Sequence, residues 1–482
     1  MYVKRWDDIH TFHYTGMSFD LASGVASFDY LARGATSEYP FTEVVTFPLP
    51  ERQLDAQTLV ALERVLELLY VAVGTIYYKS MAPESVVLDT VRLAPAAQCW
   101  ALRLFRSGLA EFACRWQLPH VLDLKLAGQS GDTTAFGYDV VTAERPPLVA
   151  LGGGKDSIVS LEALKAAGLR PVVYTVVRQP TPLLSEMMAL TGVPSLTIRR
   201  AVDRRLTDLL STGGARIGHV PVTAINSLIG VVAAAWHGLG PVVLSNERSA
   251  SSGNLVWRGR EVNHQWSKSL EAEALLRNAL RGHAGLNNAC FSLLRGMSEL
   301  HIAQLFTATN TYDRKVTSCN YAFRMGGNRV ERWCNDCAKC RFVFLALAPF
   351  MDRGRLISIF GHDLLDDPRH IEGYRELLGL TGHKPFECVG EFSESRVALH
   401  LLAEEPSWAD ARVLRALCGE MSRWPTGQEV ATVFAADRPR FAPPAYAHAL
   451  SALARRPATR DYSSRSIAPR RLPLAESSLR RW

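Results

Sequence analysis

Residues 152–157 combine the side chains and the backbone freedom that phosphate binding needs. Three glycines precede a lysine, an aspartate and a serine. Without Cβ atoms, the glycines let backbone N–H groups close around a phosphate, and the positive end of a following helix adds to the attraction. The lysine could neutralise phosphate charge, the aspartate could hold Mg²⁺, and the serine could cap the helix or hydrogen-bond a phosphate oxygen. The predicted nucleotide-binding residues are Gly152, Gly153, Gly154, Lys155, Asp156 and Ser157.

This loop resembles the S-G-G-x-D-S loop of the PP-loop ATP pyrophosphatase superfamily. The resemblance implies that ATP binds here through its β- and γ-phosphates and transfers AMP to an oxygen of the substrate. Gly152 stands where that loop has its first serine, so one hydroxyl donor is absent. The spacing matches neither G-x-x-x-x-G-K-[ST] nor G-x-G-x-x-G. A glycine turn before an ordinary helix is the alternative, and the Lys-Asp-Ser run disfavours it.

Four of the nine cysteines lie close together in the sequence. Cys334, Cys337 and Cys340 follow a C-x-x-C-x-x-C pattern, and Cys319 lies fifteen residues before the first of them. Four thiolates satisfy a tetrahedral Zn²⁺, so we predict a structural zinc site. An iron–sulfur cluster and reduced core cysteines are the alternatives. The start of the chain has no apolar signal run, so we expect a reducing, cytoplasmic environment without disulfides.

Three further polar stretches carry candidate catalytic groups. Glu247 could bind Mg²⁺ or act as a base, and Arg248 could hold a phosphate, because both follow a predicted strand. His264 and Lys268 are four residues apart and would share one helical face, so either could transfer a proton. Cys388 lies outside the cysteine cluster and could be a free, reactive thiol. A solvated or structural role is the alternative for each of these residues.

An alternation of strands and helices would position the loop. Short apolar runs have the character of buried parallel strands, and segments with helical spacing separate them. These runs are 147–151, 171–177, 195–199 and 241–245. The pattern predicts an α/β fold with a doubly wound parallel sheet, of PP-loop type if the resemblance of the loop holds.

The flanking segments have other patterns. Residues 1–50 alternate aromatic and polar positions, which predicts an antiparallel meander. Helical spacing follows at 54–78, 94–116, 265–310 and 389–454. We therefore predict an N-terminal α+β domain (1–140), a PP-loop ATP-binding α/β domain (141–315), a cysteine-rich metal-binding segment (316–350), a mostly helical C-terminal region (351–454) and a disordered Arg-rich tail (455–482).

The net charge of +7 is concentrated at the C-terminal end. Residues 455–482 contain eight arginines against two acidic residues, so they hold six of the seven positive charges and leave the remainder near neutral. A broad basic face is not indicated, so we expect no nucleic-acid partner. The tail reads as a disordered end, with a binding arm as the alternative. The longest apolar stretch, 227–244, is interrupted by His237, Gly238, Gly240 and Pro241, so we expect no membrane span.

Five segments together resemble the bacterial UDP-N-acetyl-α-D-muramoyl-L-alanyl-L-glutamate epimerases. They are 151–157, 245–251, 263–269, 334–342 and 386–391. The resemblance runs from the N-terminal block to about residue 400 and beyond, and the tail after 455 lies outside it.

This resemblance implies a particular reaction. ATP with Mg²⁺ would adenylate the α-carboxylate of the terminal L-Glu of UDP-MurNAc-L-Ala-L-Glu. A base would then remove the Cα proton, and reprotonation from the other face and hydrolysis would give AMP and the D-Glu precursor for peptidoglycan. A carboxylate resists enolate formation because a second negative charge would form on a group that is already anionic. An acyl phosphate is neutral at the carbonyl, so it can accept that charge. No pyridoxal is therefore needed. An amino-acid ligase of peptidoglycan precursor synthesis is the implied functional partner.

Two other functions remain open on the residues alone. One is an enzyme similar to the 7-cyano-7-deazaguanine synthases, which share the loop and a four-cysteine zinc site. The other is a zinc-containing nucleic-acid binder with a degenerate loop, which the near-neutral body disfavours. Within the epimerase interpretation, Lys155 and Asp156 serve adenylation and Glu247 is a metal or substrate ligand. The base stays open among His264, Lys268 and Cys388.

Overall fold

The computed structural model describes residues 5–134, 137–323, 330–382 and 384–455. The strands are β1 (Ile9–Asp20), β2 (Val25–Gly34), β3 (Glu38–Thr46), β4 (Ser85–Leu93), β5 (Lys125–Ser130), β6 (Leu148–Ala150), β7 (Val172–Val177), β8 (Ser195–Ala201), β9 (Val242–Leu244), β10 (Leu255–Trp257), β11 (Arg260–Val262) and β12 (Cys290–Ser292). The helices are α1 (Ala56–Met81), α2 (Pro95–Arg106), α3 (Ala110–Trp116), α4 (Lys155–Ala166), α5 (Pro182–Thr191), α6 (Arg204–Ser211), α7 (Val222–His237), α8 (Leu270–Ala284), α9 (Glu299–Phe306), α10 (Ala338–Leu347), α11 (Arg353–Phe360), α12 (Ile371–Leu378), α13 (Phe392–Ala403), α14 (Arg412–Glu420), α15 (Gly427–Phe434) and α16 (Ala449–Ala454). The predicted Arg-rich tail, 455–482, lies outside the described residues apart from Arg455.

The predicted parallel strands lie side by side in one half of a ten-stranded sheet. β8, β7, β6, β9 and β12 follow one another in that order, and each adjacent pair is parallel. The order reverses beside β6, because β7 and β8 are added on one side and β9 and β12 on the other. In such sheets the loops at the reversal leave a ligand-binding crevice at the carboxyl edge. The four strands predicted from apolar runs are confirmed as β6 to β9.

Successive residues of these strands face two different hydrophobic cores. Leu148 and Val242 belong to one core, while Val149 and Val243 belong to the other. The first core contains residues of α1, α2, α7 and α8, and the second contains residues of α4, α9 and the C-terminal helices. β6 and β9 are apolar throughout because this part of the sheet is covered on both faces and has no side that meets water. The predicted α/β class is therefore confirmed.

The predicted antiparallel meander forms the other half of the same sheet. β1 pairs with β2 and β2 with β3 in antiparallel ladders. β4 and β5 extend the sheet in parallel beyond β1. β3 joins the two halves through an antiparallel ladder with β8 that contains three residue pairs. The predicted domain boundary at 140/141 thus falls between two strands of one sheet, and it stays a prediction.

Some short elements differ from the sequence-based prediction. The sequence predicts helix throughout 265–310, but β12 lies between α8 and α9. Three residues are too few for a strand period to be recognised. The helix predicted over 94–116 is divided into α2 and α3, with Gly108 between them. Glycine has a low helix propensity, which explains a break at this position.

The C-terminal helices pack around the second core. α13 to α16 confirm the helical pattern predicted for 389–454. Residues of α10 and α13 are buried in this core, so the cysteine-rich segment and the C-terminal region share it. None of the helices in the described part of the chain combines the length and apolar character needed to traverse a bilayer.

Candidate active site

The glycine-rich loop leaves β6 and enters α4 at Lys155. Gly153 has a φ of +85°, which side chains other than glycine rarely adopt. Beside Gly152 the space is open, since no atom lies within 4 Å of the place a Cβ would occupy. The Ser157 hydroxyl donates to the Gly154 carbonyl at 2.9 Å, so its proton is used within the first turn of the helix. The loop therefore presents backbone N–H groups and a helix N terminus, as a phosphate site requires.

Three carboxylates converge beside this loop. Asp156 follows the glycines, Glu247 follows β9, and Glu299 begins α9. Oxygen atoms of the three side chains lie within 4.8 Å of one another. Lys155 contacts both Asp156 and Glu299. A set of carboxylate oxygens at this spacing suits a hard divalent cation such as Mg²⁺.

The charges in this cluster are only partly balanced. Burial would raise the pKa of the Glu299 carboxyl, but Lys155 and Lys339 hold it at about 2. Lys339 Nζ lies 3.2 Å from a Glu299 oxygen. Burial raises the pKa of Glu247, and the charge of Glu299 adds to this effect, which Lys268 only partly offsets. Glu247 is 2% exposed, so a bound cation would relieve a real electrostatic cost there.

The four predicted metal-binding cysteines also come together. The sulfurs of Cys319, Cys334, Cys337 and Cys340 lie within 4.8 Å of one another, and all four are free thiols. The Cys334–Cys340 and Cys337–Cys340 sulfur distances are 3.7 and 3.5 Å. Tetrahedral Zn²⁺ with bonds of ~2.3 Å places its sulfurs roughly 3.8 Å apart. The donor set therefore fits zinc, which would tie the start of α10 to the loop after α9.

Backbone N–H groups support these sulfurs. The N–H of Cys337 donates to Cys334 Sγ at 3.3 Å, and the N–H of Cys340 donates to Cys337 Sγ at 3.4 Å. Such bonds stabilise thiolate charge. Lys339 lies between two of these cysteines in the sequence, but its ammonium contacts Glu299. The lysine thus belongs to the carboxylate cluster.

The three candidate bases lie together in the structure. Lys268 Nζ is 3.6 Å from Cys388 Sγ. His264 is hydrogen-bonded to the same thiol, and its Nδ1 contacts Glu111 of α3. A second imidazole, His219, lies with its ring centre 4.3 Å from that of His264. This group can hold and transfer protons.

Arg248 makes its contacts at the end of α15. Its guanidinium donates to the carbonyls of Thr432 and Ala435 at 3.1 and 3.3 Å. Cationic side chains are favoured at the carbonyl end of a helix. These bonds attach the C-terminal helices to the segment after β9. The phosphate-binding role predicted for Arg248 stays a prediction.

Comparison with known protein families gives two adjacent matches. The MurL N-terminal domain matches residues 3–293, and the MurL C-terminal domain matches residues 315–432. This chain belongs to the MurL family. The resemblance stated from the sequence is therefore confirmed.

Curated relatives cover nearly the whole chain. A protein of Salinispora tropica is 52% identical over 94% of this chain and 97% of its own length. A protein of a Micromonospora species is 53% identical over 93% and 99%. A protein of Xanthomonas oryzae pv. oryzae is 39% identical over 84% and 89%. All three are named UDP-N-acetyl-alpha-D-muramoyl-L-alanyl-L-glutamate epimerase, and membership of this family makes the chain an epimerase. No solved structure matches the chain.

Several residues of the site were not singled out by sequence reasoning. Glu299 and Glu111 lie on short helices with few other ionisable residues, and His219 lies in a loop. A lone ionisable residue on a helix has the same pattern whether it faces solvent or a site. The cysteine motif on either side of Lys339 predicted a metal site, but it gave no indication that Lys339 contacts Glu299.

Proposed function

We propose that this chain epimerises the terminal L-Glu of UDP-N-acetylmuramoyl-L-alanyl-L-glutamate to D-Glu, through an acyl-adenylate, with release of AMP and pyrophosphate. The names of its relatives support this substrate. The observation that carries the adenylation step is the convergence of Asp156, Glu247 and Glu299 beside the glycine-rich loop. A helix N terminus next to a carboxylate cluster suits a nucleotide with its divalent cation.

The parallel half of the sheet supports the PP-loop type. Counted from β6 as the first strand, the order is third, second, first, fourth, fifth. The glycine-rich loop follows the first strand and Glu247 follows the fourth, so both flank the reversal of strand order. A nucleotide bound at this crevice meets the N–H groups of 152–154 and the carboxylates together.

Each group near the loop has a role in the proposed adenylation. Backbone N–H groups of 152–154 bind the β- and γ-phosphates, and Lys155 and Lys339 neutralise negative charge. Asp156, Glu247 and Glu299 would hold Mg²⁺, which when bound stabilises the charge of the leaving pyrophosphate. The substrate carboxylate attacks the α-phosphorus, and the bond to pyrophosphate breaks. The resulting acyl-adenylate has no net charge at its carbonyl, so its Cα proton is more acidic than that of the free carboxylate.

Proton transfer requires a group outside the metal ligands. A carboxylate that holds a cation is a weak base, so Glu247 is assigned to the metal. Lys268 contacts Cys388 and also acts electrostatically on Glu247, which supports a role for His264, Lys268 and Cys388 beside the carboxylate cluster. One of these three side chains supplies the base. Structural Zn²⁺ at the four cysteines would hold the C-terminal part of the chain in place.

The chemistry also favours a compartment and a partner. Free thiols and a cysteine zinc site persist in a reducing environment, so we place the reaction in the cytoplasm, where ATP is abundant. The D-Glu product is a substrate for an amino-acid ligase that extends the peptidoglycan precursor.

The test is to incubate the protein with ATP, Mg²⁺ and UDP-MurNAc-L-Ala-L-Glu. Chiral analysis of the glutamate and separation of the nucleotides follow epimerisation and adenylation in one sample. We expect D-Glu, AMP and pyrophosphate, and we expect Asp156→Asn to abolish all three. Asp208→Asn, an exposed aspartate on α6, is the matched control and should behave as the wild type.

Two results would count against the proposal. Formation of ADP and phosphate would reject adenylation, because the leaving group would then be a single phosphate. Epimerisation without ATP would reject the activated intermediate. Normal turnover by Asp156→Asn would be compatible with the proposed reaction, but it would show that Asp156 is not required for it.

A further inference from the structure

Glu111, His264 and Cys388 come from distant parts of the chain and form one line of contacts. Glu111 is on α3, His264 follows β11, and Cys388 precedes α13. His264 Nδ1 contacts Glu111, and the same ring is hydrogen-bonded to the Cys388 thiol. A carboxylate, an imidazole and a thiol connected in this order activate the sulfur in enzymes of unrelated folds.

The carboxylate and the imidazole are held by further contacts. Arg115 Nε lies 2.6 Å from the second oxygen of Glu111, one turn along α3. The backbone N–H of His264 donates to Asn254 at 2.8 Å. Glu111 is 4% exposed, so it is fixed in the core and can orient the imidazole.

The loop that carries Cys388 is anchored by two hydrogen bonds just before the thiol. The backbone N–H of Lys339 donates to Glu387 at 2.8 Å. The Asn254 amide donates to the Pro385 carbonyl at 3.1 Å. The Cys388 residue as a whole is half-buried, and these bonds define its position.

Positive charge surrounds the Cys388 sulfur. Burial would raise the pKa of this thiol, but Lys268, the hydrogen bond from His264, and Lys339 lower it to about 7. Burial would lower the pKa of His264, but its bonds to Cys388 and Glu111 raise it to about 9. Between these two values the pair is a thiolate facing an imidazolium.

Ionisable groups from several elements face this pair. They are Lys79 of α1, Glu111 and Arg115 of α3, His219 before α7, Glu247 after β9, Lys268 before α8 and Lys339 of α10. Lys268 and Lys339 act on Glu247 as well as on Cys388. These two lysines therefore couple the thiol electrostatically to the carboxylate cluster.

Of the three candidate bases, Cys388 is the one that is deprotonated near neutral pH. His264 keeps its proton up to about pH 9. Burial opposes the charge of Lys268, but Cys388 and Glu247 raise its pKa above the ordinary value, so it is a cation. Both cations donate toward the sulfur, which leaves the sulfur as the acceptor.

We infer that Cys388 is the residue that removes the Cα proton, and that Glu111, His264 and Lys268 position and stabilise its thiolate. This inference rests on the proposed function. In the step, the Cα–H bond breaks, an S–H bond forms, and the electron pair moves onto the carbonyl oxygen of the acyl-adenylate. Loss of the thiol proton to water restores the thiolate and lets solvent hydrogen enter at Cα.

Two half-reactions separate this role from adenylation. Substrate-dependent exchange of labelled pyrophosphate into ATP measures adenylation, and deuterium uptake at Cα in D₂O measures proton abstraction. Cys388→Ala and Cys388→Ser should keep pyrophosphate exchange and lose Cα exchange by about 10²–10⁴-fold. Cys418→Ser, a half-buried thiol on α14, is the matched control and should keep both.

A pH measurement tests the positioning residues. Alkylation of the peptide that carries Cys388, followed by mass spectrometry, should have a midpoint near pH 7 in the wild type. Lys268→Met removes the nearest cation, so the midpoint should rise by about one pH unit toward that of an ordinary thiol. The low-pH limb of Cα exchange should move in the same direction, which a merely structural lysine would not cause.

Three outcomes would overturn the inference. One is Cα exchange that persists in Cys388→Ala. Another is loss of pyrophosphate exchange in both Cys388 variants, since the thiol would then serve adenylation. The third is an acyl adduct on Cys388 after acid quenching, because the sulfur would then be a nucleophile. A wild-type protein without pyrophosphate exchange would instead refute the proposed function.

Discussion

A buried ion pair joins the N-terminal strands to the parallel strands, and its removal should weaken the whole sheet. Glu43 on β3 is 0% exposed and accepts hydrogen bonds from Arg200 of β8 at 2.5 Å and from the Tyr77 hydroxyl at 2.7 Å. The Tyr77 hydroxyl accepts the N–H of Asp203 at 3.0 Å. Because the β3–β8 ladder contains only three residue pairs, this network is a large part of the junction.

The expected losses of unfolding free energy follow from burial. Glu43→Ala leaves the Arg200 side chain, which is 11% exposed, without its anion, and such losses cost about 3–5 kcal/mol. Glu43→Gln keeps a neutral acceptor, so the cost should be about 1.5–3 kcal/mol. The Arg33–Glu38 pair lies on the neighbouring strands, but its side chains are 51% and 57% exposed. Glu38→Gln is therefore the control, with an expected loss below about 1 kcal/mol.

Urea unfolding followed by tryptophan fluorescence measures these differences. The double variant Glu43→Gln/Arg200→Met should be less destabilised than the sum of the single variants, by about 0.5–3 kcal/mol. Glu111 comes from the part of the chain before β6, and His264 comes from the part after it. We therefore expect a weakened junction to disturb their contact and to reduce deuterium exchange at Cα more than adenylation. The reasoning is refuted if Glu43→Gln loses no more stability than Glu38→Gln, or if the two substitutions at the pair are strictly additive.

Three further predictions concern the metal, the loop and the carboxylate cluster. The purified protein should contain about one Zn²⁺ per chain by metal analysis. Cys337→Ser should lower the melting temperature of the protein more than it alters adenylation by the folded fraction. Protein purified without zinc or iron would contradict this prediction. In urea unfolding, Gly152→Ser should change stability by less than about 0.5 kcal/mol because its side chain enters open space. Gly153→Ser should lower the free energy of unfolding by about 1–2 kcal/mol, because Gly153 has a positive φ. Equal losses of stability at the two positions would be inconsistent with the loop geometry. Glu247→Gln should fail at pyrophosphate exchange, whereas normal exchange with no deuterium uptake at Cα would make Glu247 the base.

Features that depend on local order along the chain could be predicted from the amino-acid sequence. The glycine-rich loop was recognisable because a phosphate site needs consecutive residues without Cβ atoms at the start of a helix. The C-x-x-C-x-x-C spacing predicted the convergence of the sulfurs, since one turn brings such residues together. The apolar runs predicted β6, β7 and β9 because strands buried on both faces are mostly apolar, and β8 was recognised although one of its faces is polar.

The contacts between side chains that are distant in the sequence depend on the packing of the fold. Glu299 and Lys339 join Lys155 through the packing of α9 and α10, and neither has a sequence pattern that distinguishes a buried ion from a solvated one. The choice among His264, Lys268 and Cys388 likewise depends on Glu111, which contacts His264 from α3, a helix far away in the sequence. The pKa of a group is determined by the charges and the burial around it, and these come from residues far apart in the chain. The sequence could therefore name the candidate bases, while their protonation states depend on the fold.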